Sequence, residues 1–242
     1  MLLIPTISSA NPNPGVARVS TSDQLSAAEP LHTAERWIQA GARRLHVAEV
    51  DGVTAGKTTG ADLIRALAHA HPGIALQVSG AVRDAQAVEK YLAAGAEYVI
   101  LDAKAARTPH LINDLCLEFP GHILVAMEAR HGKLAAEGGS KLAQQPASDV
   151  VMHLQREGVA AIIYRVADSE RGADDYDGAQ SLAQALTIPV LVSGGLNSIE
   201  AVTRFCRRGA ALGGAVLDAE FAAAPADIAK VLQLAERAPV AE

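Results

Sequence analysis

Two stretches in opposite halves of the chain follow one pattern, and this repeat constrains the fold more than any other feature of the sequence. Val78–Leu101 reads VSGAVRDAQAVEKYLAAGAEYVIL, and Val192–Leu217 reads VSGGLNSIEAVTRFCRRGAALGGAVL. Each stretch runs from an apolar segment through a glycine turn into a helical pattern, then into a second apolar segment followed by Asp-Ala. Self-similarity at half the chain length is typical of two related halves. We therefore predict one domain over residues 1–242, built from two half-barrel repeats.

Short apolar runs alternate with amphipathic segments along the whole chain. The predicted strands are Leu2–Ile7, Arg44–Val50, Ala75–Ser79, Tyr98–Leu101, His122–Met127, Ala160–Arg165, Pro189–Ser193 and Gly214–Leu217. The predicted helices are Ala34–Ala40, Thr59–Ala70, Ala85–Ala94, Pro109–Glu118, Ala147–Glu157, Gly178–Leu186, Ile199–Arg208 and Pro225–Glu236. Eight strands, each followed by a helix, predict a parallel (β/α)8 TIM barrel. The alternative is an open doubly wound sheet, which lacks support because no dinucleotide fingerprint follows the first strand.

Composition narrows the class of protein. Half of the residues are apolar and the net charge is -6, which argues against nucleic-acid binding because that needs a basic face. No apolar run reaches membrane-spanning length, and the amino terminus lacks the features of a signal peptide. Cys116 and Cys206 lie far apart, outside any metal-binding motif, and we interpret them as reduced core thiols. We expect a cytoplasmic protein with a small-molecule ligand and no membrane partner.

In a barrel of this kind, chemistry takes place where the strands end. The side chains that follow the predicted strands are therefore the candidate site, which we call the mouth. Its predicted members are Ser8, Glu49, Asp51, Ser79, Gly80, Asp102, Glu128, Arg165, Val166, Asp168, Ser193, Gly194, Gly195 and Asp218. Arg18, on an early loop, is a further candidate for contacting an anion, as is Arg83.

Several of these segments resemble the HisA family, the ProFAR isomerases of histidine biosynthesis. The resemblance covers nearly the whole chain, and the matching pieces are Ile4-Pro5, Ala40-Gly41-Ala42-Arg43-Arg44-Leu45-His46, Asp51-Gly52, Gly56-Lys57, Phe119-Pro120-Gly121-His122-Ile123, Gly132-Lys133, Ser140-Lys141-Leu142, Ala161-Ile162-Ile163-Tyr164 and Ser193-Gly194-Gly195. The resemblance implies an Amadori-type conversion of an aminoaldose to an aminoketose. It implies two facing aspartates as acid and base, two phosphate sites, no metal and no organic cofactor.

The chain departs from the family pattern at the catalytic pair. Ser8 stands where the family has its first aspartate, and Glu128 where it has its second. A serine hydroxyl is not ionised at neutral pH without an activating base, so it does not replace a carboxylate in proton transfer. Glu128 keeps the carboxyl group but moves it by one methylene. Arg165-Val166 stands at the end of the sixth strand where the family has Thr-Asp, and Gly139 stands where it has a loop tryptophan.

The predicted phosphate sites are altered in both halves. The resemblance places phosphate contacts at Ser193, Gly194, Gly195, Gly80 and Arg18. Asp102-Ala103 and Asp218-Ala219, however, stand where the family has Gly-Thr and Gly-Arg. A carboxylate directed into a phosphate site lowers affinity through like-charge repulsion. Asp102 and Asp218 could instead cap the helical turns that follow, since aspartate is a good cap.

Several other residues are predicted to have structural roles and no functional one. His46 and His122 lie inside strand patterns and are read as core residues, His153 as a surface residue and Trp37 as a packing residue of the first helix.

These departures lead to a functional hypothesis with open alternatives. The chain is predicted to be a HisA-like paralogue whose ProFAR isomerase activity is lost or very weak, repurposed to another small-molecule biosynthetic role such as that of a one-carbon cofactor. The first alternative is a still-active isomerase that uses Glu128 with water or Asp51. The second is a non-catalytic partner or regulatory subunit of another protein.

Overall fold

A computed structural model describes most of the chain. The described residues are 1–8, 29–48, 60–80, 82–102, 105, 108, 110–130, 133–134, 147–166, 176–209, 211–219, 221 and 228–236.

In the described part of the chain, ten β-segments form one sheet that closes on itself. They are β1 (Leu2–Ile4), β2 (Thr6–Ser8), β3 (Arg44–Ala48), β4 (Ala75–Ser79), β5 (Tyr98–Asp102), β6 (Ile123–Arg130), β7 (Lys133–Leu134), β8 (Ala161–Val166), β9 (Val190–Ser193) and β10 (Gly214–Val216). The order around the sheet is β1-β10-β9-β8-β6-β5-β4-β3-β2, and every pair on this path is parallel. The predicted (β/α)8 barrel is confirmed.

The first strand closes the barrel because its two halves pair with different neighbours. β1 pairs with β10, and β2 pairs with β3. Pro5 separates the halves and has no N–H to donate, yet its carbonyl oxygen accepts a hydrogen bond from the His46 N–H at 2.8 Å. The Ile4 carbonyl accepts from the Leu217 N–H, also at 2.8 Å. The open-sheet alternative is therefore wrong, since this strand leaves no unpaired edge between β10 and β3.

The described residues include eight helices, which cover the outside of the barrel. They are α1 (Glu29–Gln39), α2 (Gly60–Ala70), α3 (Ala85–Ala93), α4 (Leu111–Glu118), α5 (Ala147–Arg156), α6 (Tyr176–Ala185), α7 (Ile199–Arg208) and α8 (Ile228–Glu236). Two of them begin alike: Asp84 accepts a hydrogen bond from the Ala87 N–H at 2.8 Å, and Ser198 accepts one from the Ala201 N–H at 3.2 Å. These caps occupy equivalent positions of the repeat, and the half-barrel origin itself stays a prediction.

Two apolar cores hold the layers together. The larger one lies between the helices and the outer face of the barrel, where Trp37, Tyr176 and Phe205 are fully buried. The smaller one fills the barrel interior with the side chains of Ile4, Ile100, Leu124, Ala126, Ala161, Ile163, Leu191 and Val216. Strand residues thus alternate between the two cores, as the twofold period of a β-strand requires.

Most predicted boundaries lie within a few residues of the observed ones. Pro5 breaks the first predicted strand, and α1 begins five residues before its predicted start. β7 was not predicted; it forms an antiparallel pair with the end of β6. His122 was read as a strand residue, which is wrong, because β6 begins after it and its half-buried ring contacts the Glu97 carbonyl at 2.7 Å.

Both cysteines, Cys116 and Cys206, are buried free thiols. Burial raises the pKa of Cys116 to about 11 and also raises the pKa of Cys206. Both thiols therefore stay protonated at neutral pH, as packing residues would. Within the described part of the chain, no helix is long and apolar enough to cross a membrane.

Candidate active site at the carboxyl end of the barrel

The strand register decides which side chains point into the barrel. Ile100 belongs to the interior core, and its register partner on β4 is Ser79. Partners in a parallel ladder lie on the same face of the sheet, so the inward face can be followed from strand to strand. At the carboxyl end it carries Ser8, Ala48, Ser79, Asp102, Glu128, Arg165 and Ser193. All of these except Ala48 are predicted mouth residues, and the barrel places them at one end. Val166, also predicted for the mouth, is instead buried in the larger core outside the barrel.

A carboxyl group, a guanidinium group and a hydroxyl group are neighbours on one side of the mouth. Glu128 on β6 is the register partner of Arg165 on β8, and Arg165 is the partner of Ser193 on β9. Adjacent strands lie about 4.8 Å apart, so a single small molecule can contact all three side chains. Glu128 is exposed, whereas Arg165 and Ser193 are half-buried. This arrangement offers a carboxyl group for proton transfer and a cation for an anionic oxygen.

Ser8 lies across the mouth from Glu128. β2 and β6 are separated by β3, β4 and β5 in a barrel of eight strand positions. This is the facing relationship that the resemblance implies for the two catalytic positions. Ser8 is half-buried and aligned with Ala48 and Ser79, so this side of the mouth carries small side chains and no described carboxylate.

The two glycine turns, predicted as a matched pair, differ in conformation. After β9, Gly194 and Gly195 have φ values of +92° and +75°, a region that residues with a Cβ seldom adopt. Successive residues of this kind can direct backbone N–H groups toward an anion. After β4, the N–H of Val82 donates to the Gly80 carbonyl at 2.8 Å, and Gly80 has no positive φ. The turn at Gly194-Gly195 is thus the better-formed anion cradle of the two.

Asp102 and Asp218 occupy different environments, although the repeat makes them equivalent. Asp102 is exposed at the end of β5, and the cap position of α4 belongs to His110, so Asp102 does not cap that helix. Asp218 is half-buried, and its N–H donates to the Leu196 carbonyl at 3.2 Å. That bond joins the end of β10 to the residue after the glycine turn, which places Asp218 beside the anion cradle.

A column of polar side chains lies beneath the mouth on the β3–β4 side. The His46 Nε2 lies 3.1 Å from the Ser79 Oγ, and the His46 Nδ1 lies 3.4 Å from the Gln77 Nε2. Gln77 is fully buried and His46 is 8% exposed. Burial, and secondarily the positive charge of Arg165, lowers the pKa of His46 to about 4. The imidazole is therefore neutral at physiological pH, and we call His46, Gln77 and Ser79 the polar column.

The polar column was not predicted from the sequence. The prediction that His46 is a packing residue is correct for its burial but leaves out its hydrogen bonds. The sequence does contain an indication of the column. His46 and Gln77 are polar residues in otherwise apolar strands, at positions whose side chains face the same side of the sheet as Ser79. Polar residues at interior positions are rarely left without a hydrogen bond. Two such residues on adjacent strands therefore predict a hydrogen bond between them.

Four predicted mouth or anion residues lie outside the described residues: Arg18, Glu49, Asp51 and Asp168. Arg83 is exposed, and His153 is an exposed residue that pairs with Glu157 at 3.2 Å. Within the described ranges no group of three His, Cys, Asp or Glu side chains is arranged to hold a metal ion.

The closed parallel barrel and its polar carboxyl end define a (β/α)8-barrel protein with a candidate acid–base site at the mouth. A family model described as histidine biosynthesis protein matches residues 15–221. The chain belongs to this histidine biosynthesis family.

Three relatives share the name 1-(5-phosphoribosyl)-5-((5-phosphoribosylamino)methylideneamino) imidazole-4-carboxamide isomerase. The one from Thioalkalivibrio sulfidiphilus is 42% identical over 180 residues, which are 74% of each chain. The one from Nitrosococcus oceani is 37% identical over 218 residues, 89% of this chain and 88% of its own. The one from Acidithiobacillus ferrooxidans is 36% identical over 206 residues, 84% of this chain and 85% of its own.

Proposed function

We propose that this protein is an isomerase of the kind its relatives are named for, which converts an aminoaldose bearing phosphoribosyl groups to the aminoketose. The observation that carries the proposal is the placement of Glu128, an exposed carboxyl group at the end of β6, beside Arg165 and opposite Ser8. The relatives' shared name supports the substrate class. The anion cradle at Gly194-Gly195 offers one site for a phosphate group.

The proton transfers would rest on Glu128. The rearrangement of an aminoaldose opens the sugar ring by delivering a proton to the ring oxygen and then removes a proton from C2, which gives an enaminol that tautomerises to the aminoketose. The carboxylate left by the first transfer can accept the second proton, so one group can serve both steps. Arg165 would hold an anionic oxygen of the substrate, since guanidinium groups bind phosphate through charge-assisted hydrogen bonds. Ser8 contributes no ionised group, so we expect turnover below that of relatives with carboxyl groups at both positions.

A second candidate function has its own supporting observation. Ser8 leaves its side of the mouth without a described carboxylate, while Asp102 adds an exposed acid at the end of β5. This redistribution of charge suits a substrate with fewer phosphate groups or with an amine, because carboxylates repel phosphate and attract ammonium. Under this candidate Glu128 remains the acid–base group and the substrate changes. The third role, a non-catalytic partner of another protein, stays a prediction.

Genetic complementation and direct assay separate the two enzyme candidates. The gene is introduced into a histidine-requiring strain that lacks the isomerase, beside the gene of an active relative, and the purified protein is assayed with the bis-phosphoribosyl substrate. Growth without histidine, together with measurable turnover, supports the first candidate. Folded, expressed protein with neither growth nor turnover rejects it and leaves the altered-substrate candidate.

The Glu128→Gln variant tests the role of the carboxyl group. The substitution preserves shape but removes proton transfer, and general acid–base catalysis contributes about 100-fold to 10000-fold. We therefore expect kcat to fall by at least about 100-fold with little change in KM. Glu89→Gln, on an exposed position of α3, is the matched control. Unchanged turnover in Glu128→Gln contradicts both enzyme candidates as written.

A further inference from the structure

The inward face of the barrel carries a second carboxyl group next to that of Glu128. Ile100 belongs to the interior core, and Asp102 follows it two residues later on β5. Ala126 belongs to the same core, and Glu128 follows it two residues later on β6. Side chains two residues apart on a strand share one face of the sheet, so both carboxyl groups face the mouth.

The register gives the separation of the two residues. Asp102 is the partner of Ala126, so Glu128 lies one strand across and two residues farther along. Adjacent strands are about 4.8 Å apart and each residue advances about 3.3 Å, which places the two Cα atoms about 8 Å apart. Ser8, by contrast, lies across the whole mouth from Glu128. One small molecule can therefore contact both carboxyl groups from the same side.

Both carboxyl groups are accessible to a ligand. Asp102 and Glu128 are exposed, and neither side chain has a hydrogen-bond or ion-pair partner among the described residues. The cap position of α4 belongs to His110, so that helix makes no use of Asp102. A carboxyl group that holds a fold together does so through a hydrogen bond or an ion pair. Within the described ranges Asp102 makes neither, which directs attention to the ligand that enters the mouth.

We infer that Asp102 is a second catalytic carboxyl group of the mouth and forms an acid–base pair with Glu128 on the neighbouring strand. The inference rests on the proposed function, because its reaction is the rearrangement of an aminoaldose. It relieves Glu128 of carrying both proton transfers alone. When a substrate covers the two groups and displaces water, repulsion between their charges favours the state in which one of them carries a proton.

The pair completes the reaction without a further reactant. Protonated Asp102 donates to the ring oxygen while the bond from that oxygen to C1 breaks and the nitrogen lone pair forms a double bond to C1. Glu128 then removes the C2 proton, the C–H electrons form the C1–C2 double bond, and the C–N π electrons return to nitrogen. Glu128 next delivers its proton to C1, and the hydroxyl proton of C2 passes through water to Asp102 as the carbonyl forms. Both groups end in the protonation states in which they began.

Arg165 determines which carboxyl group serves which atom. Arg165 is the register partner of Glu128, whereas Asp102 lies one strand farther from it. The oxygen on C2 gains negative charge as the carbonyl forms, and a cation placed beside such an oxygen stabilises the transition state. Glu128, the neighbour of that cation, therefore acts at C2, and Asp102 acts at the ring oxygen.

The Asp102→Asn variant tests the role of the second carboxyl group. The substitution preserves shape and removes proton transfer, so kcat with the bis-phosphoribosyl substrate should fall by at least about 100-fold without a rise in KM. Asp114→Asn, at an exposed position of α4, is the matched control and should retain wild-type turnover. Thermal unfolding by circular dichroism checks that both variants fold. Unchanged turnover in Asp102→Asn, or a change confined to KM, overturns the inference and leaves the isomerase in place.

A substrate deuterated at C2 identifies the step that Asp102 serves. In Glu128→Asp the carboxyl group is displaced by one methylene, so removal of the C2 proton should limit the rate and kcat should show a primary isotope effect. Adding Asp102→Asn to this variant should make ring opening limiting, and the isotope effect should disappear. An effect of the same size in both proteins means that Asp102 alters only the amount of active protein, which overturns the inference. Absence of an isotope effect in Glu128→Asp also overturns it.

A second substrate separates this inference from the proposed function. N-phenylribosylamine 5-phosphate is an aminoaldose with one phosphate group, and its rearrangement needs the same proton transfers. Turnover of this compound that depends on both Asp102 and Glu128, with no turnover of the bis-phosphoribosyl substrate, supports the inference and rejects the isomerase. No turnover of either compound by the folded wild-type protein overturns both.

Discussion

The buried imidazole of His46 causes the stability of the folded protein to depend on pH in a specific way. Its pKa is about 4 in the folded protein and 6.5 in an exposed histidine. Below pH 6.5 the unfolded chain binds a proton that the folded chain does not bind until about pH 4. Stability contributed by the neutral ring is therefore fully present above pH 6.5 and is lost as the pH falls through this window.

The two pKa values give the size of the effect. Linkage predicts that acidification from about pH 7.5 to about pH 5 lowers the free energy of unfolding by about 2 kcal/mol through this residue. The His46→Gln variant lacks the ionisable group. The difference in free energy of unfolding between wild type and variant should therefore shrink by about 2 kcal/mol over the same interval, whatever its value at neutral pH.

Urea unfolding followed by tryptophan fluorescence measures this difference. Trp37 is the single tryptophan of the chain and is buried against Phe221, with ring centroids 6.1 Å apart. The exposed His69, changed to Gln, is the control and should leave the pH dependence unchanged. Parallel pH profiles for wild type and His46→Gln would mean that the imidazole is not buried in its neutral form. That result would refute the physical basis of the polar column.

Two further predictions concern stability. A Cβ at Gly214 would lie 2.1 Å from the Leu2 carbonyl oxygen where β10 meets β1, so Gly214→Ala should cost about 3 kcal/mol, or about 6–12 °C in Tm. Gly73→Ala, which meets nothing within 4 Å, is its control in calorimetry, and equal melting temperatures would contradict the clash. Ser198→Ala removes the α7 cap and should cost about 1 kcal/mol in urea unfolding, a cost that Ser198→Asp should largely avoid if the cap is responsible.

Much of the fold could be predicted because it follows from periodic patterns of apolar residues in the sequence. Alternating apolar runs and helical patterns specify strands buried on both faces and helices buried on one. Pro5 is an instructive exception: the sequence shows one apolar run over Leu2–Ile7, whereas the structure divides it into β1 and β2, which pair with different neighbours. Closure of the barrel decides which neighbour each half of this strand pairs with. Closure is a contact between the first and the last strands of the sheet.

The candidate site was predicted as a set of positions more successfully than as a set of roles. Strand ends located Glu128, Arg165 and Ser193, and the register places them on neighbouring strands. The matched glycine turns did not stay matched, because Gly194 and Gly195 adopt positive φ values and Gly80 does not. Similar residues therefore produce unlike turns when their backbone conformations differ.

The sequence by itself determined the barrel class and the family, because each depends on residue identity and spacing along the chain. Only the tertiary structure joined His46, Gln77 and Ser79 into one hydrogen-bonded column and depressed the pKa of the imidazole. The physical reason is that desolvation and hydrogen-bond direction arise from neighbours on adjacent strands. Those neighbours are distant in sequence and come together only when the barrel closes.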